Sequence, residues 1–167
     1  MIRHTRTGPY RFHDFLELIP EDQKADLLEG AIYLASPENL EHNELVSWLN
    51  VLLGIYVAER KLGRVTVNKV AYRLSDDTAP EPDLAFVRAE RSHILRFGYV
   101  DGAPDLAVEI ISPDSVTRDY DDKRRRYEEA GVGEYWIIDP QEKQALFFIR
   151  AAEGFTEPCD PEQPRVA

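Results

Sequence analysis

Three charged side chains stand where the surrounding sequence makes charge costly. Asp83 follows Pro82 and opens the apolar run Leu84-Ala85-Phe86-Val87, and Glu109 lies inside Val108-Glu109-Ile110-Ile111. A carboxylate withdrawn from water loses several kcal/mol of solvation, so each acid needs a counter-charge, a proton or a metal ion. Carboxylates and backbone carbonyls are the ligands Mg²⁺ prefers, and neighbouring strands can bring both acids onto one face. The plainer alternative is that Asp83 caps a loop and Glu109 pairs with an arginine. The third side chain is Lys123, in the run from Asp119 to Tyr127. Most of that run reads as a solvated helix face with i, i+4 pairs such as Asp121 with Arg125 and Asp122 with Arg126. Lys123 instead shares a face with Tyr120 and Tyr127, which should pack inward. An ammonium held there beside two carboxylates can orient or deprotonate a water and stabilise a phosphorane-like transition state. A lysine snorkelling from a half-buried helix is its alternative.

The elements that must position these groups are legible in the apolar pattern. Phe12, Phe15, Leu16 and Ile19 predict a short amphipathic helix stopped by Pro20. A hairpin should pair Ala25–Leu28 with Ala31–Leu34 around Glu29-Gly30, the glycine supplying the positive φ of a tight turn. The longest helix is expected from Asn39 to about Lys61, because Leu45, Trp48, Leu49, Leu52, Leu53 and Tyr56 follow the i, i+3, i+4 pattern, with Gly63 ending it. Arg64–Leu74 and Asp83–Val87 follow as strands, separated by the polar loop Ser75–Pro82. Leu106–Ile111 should be a buried central strand. A helix from about Val116 to Ala130, stopped by Gly131, leads into strands Tyr135–Ile138 and Leu146–Ile149. Beyond Gly154 an edge element and a proline-bearing, poorly ordered tail are expected. This order predicts an α/β fold, a mixed β-sheet flanked by helices, with one domain over 1–157 and a tail over 158–167.

Length and charge bound the rest. A chain of 167 residues suits one domain and, at this size, one core without disulfides or a structural metal. Cys159, the one cysteine, cannot form an intramolecular bridge. No segment approaches the roughly 20 apolar residues of a membrane span, and no signal peptide is visible, so cytoplasmic residence is the expectation. The formal net charge of −11 argues against a non-specific nucleic-acid coat. It leaves room for an enzyme acting on phosphodiesters, because a bound divalent cation can invert the local field.

Together these residues resemble the PD-(D/E)XK nuclease superfamily and, within it, the Uma-type family of restriction-endonuclease-like bacterial proteins. The likeness rests on Pro82-Asp83, on Glu109-Ile110-Ile111, and on the long run through Ser112-Pro113, Asp119, Lys123, Tyr127, Gly131-Val132 and Glu134 to Pro140. Leu28-Glu29-Gly30, Ser36-Pro37 and His42 also match, so the resemblance reaches from the first hairpin to about Arg150. One departure stands out: the superfamily's usual lysine position, two residues after the glutamate, holds Ile111. The resemblance implies that this lysine has moved to the helix as Lys123.

The resemblance further implies a restriction-endonuclease-like fold and a Mg²⁺- or Mn²⁺-dependent endonuclease acting on DNA. Asp83, Glu109 and the backbone carbonyl of Ile110 would hold the metal, and Lys123 would position the attacking water. Glu29 would complete the metal shell or hold a second ion, unless it is an exposed turn acid. His42 is a family position facing the cleft, though a lone histidine there more often caps or packs. Tyr127 should pack against Lys123. Glu81 is expected at a solvent-exposed mouth and Trp136 in the core, while Arg124, Arg125 and Arg126 form a solvated face able to touch phosphates. Two-fold cutting of a duplex implies a homodimer. The competing expectation is an inactive nuclease-fold domain serving as a protein or nucleic-acid interaction module, favoured by the acidic charge and the displaced lysine.

Overall fold

Alternation along the apolar strands builds a central sheet with a helix against each face. The computed structural model describes residues 5–37 and 39–156, so the expected tail over 158–167 lies outside the described residues. The strands are β1 (Thr5–Thr7), β2 (Ala25–Leu28), β3 (Ala31–Leu34), β4 (Gly63–Val67), β5 (Ala71–Tyr72), β6 (Leu84–Arg88), β7 (Tyr99–Val100), β8 (Leu106–Ile110), β9 (Glu134–Asp139), β10 (Gln144–Ala151) and β11 (Gly154–Phe155). The α-helices are α1 (Phe12–Leu18), α2 (Leu40–Glu59) and α3 (Arg124–Glu129). A 3₁₀ turn covers Ala89–Ile94, and a π-helical turn, Arg118–Lys123, runs directly into α3. The main sheet has six strands in the order β11-β10-β9-β8-β6-β4. It is mixed: β8 and β9 run parallel, joined through the π turn and α3, and its other neighbours are antiparallel. A three-stranded sheet, β1-β3-β2, and the pair β5-β7 stand beside it.

The period of two decides which residues see which helix. Val108 and Ile110 face Val46 of α2 with Leu84 and Leu106, whereas Ala107 and Ile111 face Tyr127 of α3 with Tyr135 and Ile137. Leu84 pairs with Val108 and Ala85 with Ala107, so the register carries Asp83 across from Glu109 on the α3 side. A third cluster under the β2–β3 hairpin gathers Phe12, Phe15, Leu27, Ile32 and Ala79. Burying a side chain such as Leu27 or Ile32, both without exposed surface, is worth roughly 1.5–3 kcal/mol.

The hairpin forms in the expected register, with Ala25 opposite Leu34 and Leu28 opposite Ala31. Glu29 and Gly30 are its turn residues, both at positive φ, +49° and +75°. Two expectations are corrected. Arg64–Leu74 is not one strand, because Asn68 and Lys69 both take positive φ and break it between β4 and β5. Arg125 and Arg126 do not pair with Asp121 and Asp122; they reach Glu29, because the π turn changes the angular phase of the residues before α3. Trp48, Leu52 and Tyr56, part of the spacing that marks α2 as a helix, are exposed. His42, Val46 and Val57 are the residues α2 buries, with Leu45, Leu49 and Leu53 packed at the margin. The helix is apolar on more than one side, and periodicity alone cannot choose between two apolar stripes.

Candidate active site

Four elements supply the charged groups of one buried cluster, and α2 and α3 add His42 and Tyr127. The hairpin contributes Lys24 and Asp26, the entry to β6 contributes Glu81 and Asp83, and β8 contributes Glu109. The π turn adds Arg118, Asp119 and Lys123. The hairpin is locked to the Ser75–Pro82 loop through its backbone, with reciprocal Leu27–Ala79 bonds of 3.1 and 2.7 Å. Side chains tighten the same seam: the Ala25 N–H donates to Glu81 (3.0 Å) and the Glu81 N–H donates to Asp26 Oδ1 (2.9 Å). These bonds bring the hairpin charges beside Asp83.

Asp83 is 2% exposed and accepts from three groups: the Lys24 ammonium, His42 Nε2 (3.2 Å) and the Ile110 N–H (2.7 Å). An ionised carboxylate only accepts, so His42 Nε2 carries its proton toward Asp83. Burial pushes Asp83 upward, but the Lys24 ammonium and His42 outweigh it and hold the carboxyl well below the usual range. Glu109, equally buried, accepts from Lys123 Nζ (3.0 Å) and the Tyr127 hydroxyl (2.9 Å). Lys123 is shared, reaching Asp26 Oδ2 at 3.0 Å and Asp119 Oδ1 at 3.2 Å as well. Arg118 makes a second contact to Asp26 Oδ2, at 3.3 Å.

This sharing explains why one ion pair has two unlike partners. Burial alone would strip the Lys123 proton, but Asp26, Glu109 and Asp119 together hold it on, well above the ordinary lysine value. Glu109 gets only part of that ammonium. Burial pushes it up, Lys123 pulls it back, and the Asp119 and Asp83 charges add to the rise, leaving it at about 8. Glu81 is raised to about 7, again chiefly by burial. The charge count agrees with these directions. Five carboxyl groups (Asp26, Glu81, Asp83, Glu109, Asp119) face three lysine and arginine cations (Lys24, Arg118, Lys123), with the His42 imidazole beside Asp83. The cluster is short of positive charge, and the two strongly raised carboxyls are where the shortage appears.

Of the sequence candidates, Asp83, Glu109, Lys123, Tyr127 and His42 all enter this cluster. Ile110 enters through its N–H. Glu29 does not. Its side chain is 59% exposed and bound by Arg125 (3.4 Å) and Arg126, because a turn residue at positive φ points off the end of the hairpin. Glu81 is buried rather than at an exposed mouth, since the Ala25 N–H holds it inside. Lys24, Asp26 and Arg118 were not among the candidates, and Asp119 had no assigned role. Asp26 carried the same signal that marked Glu109: an acid in an otherwise apolar strand, Ala25–Leu28. Among the described residues, no three His, Cys, Asp or Glu side chains already converge as a ready-made metal nest.

The chain matches the family model Uma2, described as "Putative restriction endonuclease", over residues 12–166. No curated protein matches it. Among solved structures it resembles one titled as "a putative nuclease belonging to DUF820", from Anabaena variabilis ATCC 29413. The TM-score is 0.72 and the identity 20%, with 87% of this chain and 83% of that chain covered. That likeness shows the fold: a mixed sheet flanked by helices.

Proposed function

Since the chain belongs to the Uma2 family, we propose that the buried cluster is the active site of a metal-dependent endonuclease that hydrolyses DNA phosphodiester bonds. The observation that carries this reading is that Asp83 and Glu109 come together in one buried cluster short of positive charge, the shortage falling on Glu109 and Glu81. A divalent ion held there would supply positive charge that the cluster lacks. The donors are oxygens, and Mg²⁺ usually takes only one or two carboxylates, filling its remaining positions with water and substrate phosphate. Asp83 and Glu109 would hold Mg²⁺ or Mn²⁺, with the Ile110 carbonyl as a third donor. Such an ion supplies a water of lowered pKa and neutralises charge on the scissile phosphate.

The chain's own residues define the remaining roles. Lys123 stays an ammonium, so it acts as a fixed positive charge that orients water and stabilises the phosphorane-like transition state, not as a base. The Tyr127 hydroxyl, held protonated by burial and by Glu109, keeps donating to Glu109 and fixes its rotamer. The Ile110 N–H and His42 do the same for Asp83. Two copies of the chain, one per strand, would cut a duplex.

A second reading, a nuclease-fold interaction module without activity, is favoured by one contact: the Lys24 ammonium already sits on Asp83. Cleavage decides between them. Supercoiled and single-stranded DNA are incubated with wild type, Glu109→Ala and Lys123→Ala in Mg²⁺, Mn²⁺ or EDTA. Metal-dependent cutting that falls at least about 100-fold in both variants supports the nuclease. Cutting that persists in both sinks the site assignment, and no cutting by wild type favours the module.

A further inference from the structure

We propose that the outer face of α2 is the docking surface for a second copy of this chain, the two helices packing antiparallel about a two-fold axis. The helix buries His42, Val46 and Val57 against the sheet. On the opposite side it presents Trp48 (60% exposed), Val51 (57%), Leu52, Ile55 (54%) and Tyr56 to solvent. These recur at i, i+3, i+4 and i+7, so they form one stripe along the middle of a 20-residue helix about 30 Å long. A contiguous apolar stripe of this kind, flanked by charge, marks an interface.

Charge identifies the occupant. The first turns of α2 carry Glu41 and Glu44, both exposed, while its far end and the start of β4 carry Arg60, Lys61 and Arg64, also exposed. Glu59, the one acid at that end, is already paired with Arg60 at 3.9 Å. The surface is therefore apolar in the middle, negative at one end and positive at the other. A second copy reversed about a two-fold axis places each negative end on a positive one and aligns the helix dipoles head to tail, as an isologous interface requires. The Arg60 guanidinium stacks 4.2 Å above the Tyr56 ring, leaving a flat cationic edge on the same flank of the helix. The inference rests on the pairing of two copies put forward above, not on the chemistry of the cluster. A monomer that cuts DNA would overturn this inference alone, and a dimer that never cuts would overturn the nuclease reading alone.

The test is the mass of the full chain by sedimentation and light scattering from 1 to 100 µM, concentrations chosen as roughly those at which standard interfaces hold. Wild type should show twice the 19.2 kDa chain mass, and Leu52→Glu/Ile55→Glu should be monomeric with an unchanged circular dichroism spectrum. A monomeric wild type, or a dimer that survives both glutamates, overturns the proposal. If the glutamates unfold the chain, charge reversal decides. Glu44→Arg and Arg60→Glu should each weaken dimerisation about tenfold, and together they should restore it. Weakening that merely accumulates in the double variant overturns the antiparallel pairing.

Discussion

At the scale of single residues, the cluster stores its shortage of charge as protons. Glu109 moves from an ordinary 4.5 to about 8 and Glu81 to about 7, so between those limits the folded chain keeps protons that the unfolded chain has released. The folded state then binds more protons than the unfolded one, and stability must fall as pH rises from about 4.5 to 8. Asp83 acts in the opposite sense. Its lowered value contributes stability above the ordinary carboxylate range, and that is lost on acidification below it. In EDTA the wild-type urea midpoint should decline from pH 5 to pH 8, and Glu109→Gln should flatten most of the decline. Mg²⁺ must displace the Glu109 proton, so it should raise the wild-type midpoint more at pH 8 than at pH 6; equal effects would contradict the assignment. Lys123→Met should cost about 3–5 kcal/mol at pH 8, where it leaves carboxylates buried without their shared ammonium, and less at pH 5. The midpoints that follow the first prediction also measure this one. Asp83, Glu109 and Lys123 were legible in the sequence because each charge interrupts an apolar pattern. Lys24 and Arg118 were not, because they enter from partly exposed positions where a cation is unremarkable.

At the scale of elements, two local devices aim the cluster. The π turn, Arg118–Lys123, winds wider than an α-helix and lets Asp119 and Lys123 both point into the sheet while α3 continues behind them. The hairpin turn does the reverse for Glu29 and sends it outward. Glu29 and Gly30 both take positive φ, a geometry that favours Asn-Gly. Glu29→Asn should therefore leave cleavage within about twofold of wild type and change stability by no more than about 1 kcal/mol, the worth of its exposed contacts to Arg125 and Arg126. Loss of cutting in that variant would return Glu29 to the site. Sequence periodicity located α1, the hairpin, α2 and the strands β6, β8, β9 and β10 because each is long and regular. It missed the short pieces, β7 and the 3₁₀ turn among them, whose two to six residues carry no period. It did not say which side of α2 meets the sheet, since periodicity cannot rank two apolar faces of one helix.

At the scale of the whole molecule, an acidic chain has to engage the acidic DNA proposed as its substrate. With a formal charge of −11, the protein is repelled by DNA at long range and gains counterion release only where local arginines such as Arg124 and Arg125 reach phosphates, so engagement should depend on the divalent ion the cluster lacks charge to replace. Gel-shift binding to DNA by Lys123→Ala, in which cutting should be at least about 100-fold slower, should appear with Ca²⁺ or Mg²⁺ and vanish in EDTA; equal binding in EDTA would point to a basic surface elsewhere. The outer face of α2 has an optical consequence too. The chain has two tryptophans. Trp136 is already half-buried, edge-on to Phe147 at 5.3 Å with its indole N–H bound to Glu134, whereas Trp48 stands in water. Its indole is a built-in gauge of association: emission should shift to the blue as concentration brings two copies together, and Trp48→Phe should leave a spectrum that no dilution changes.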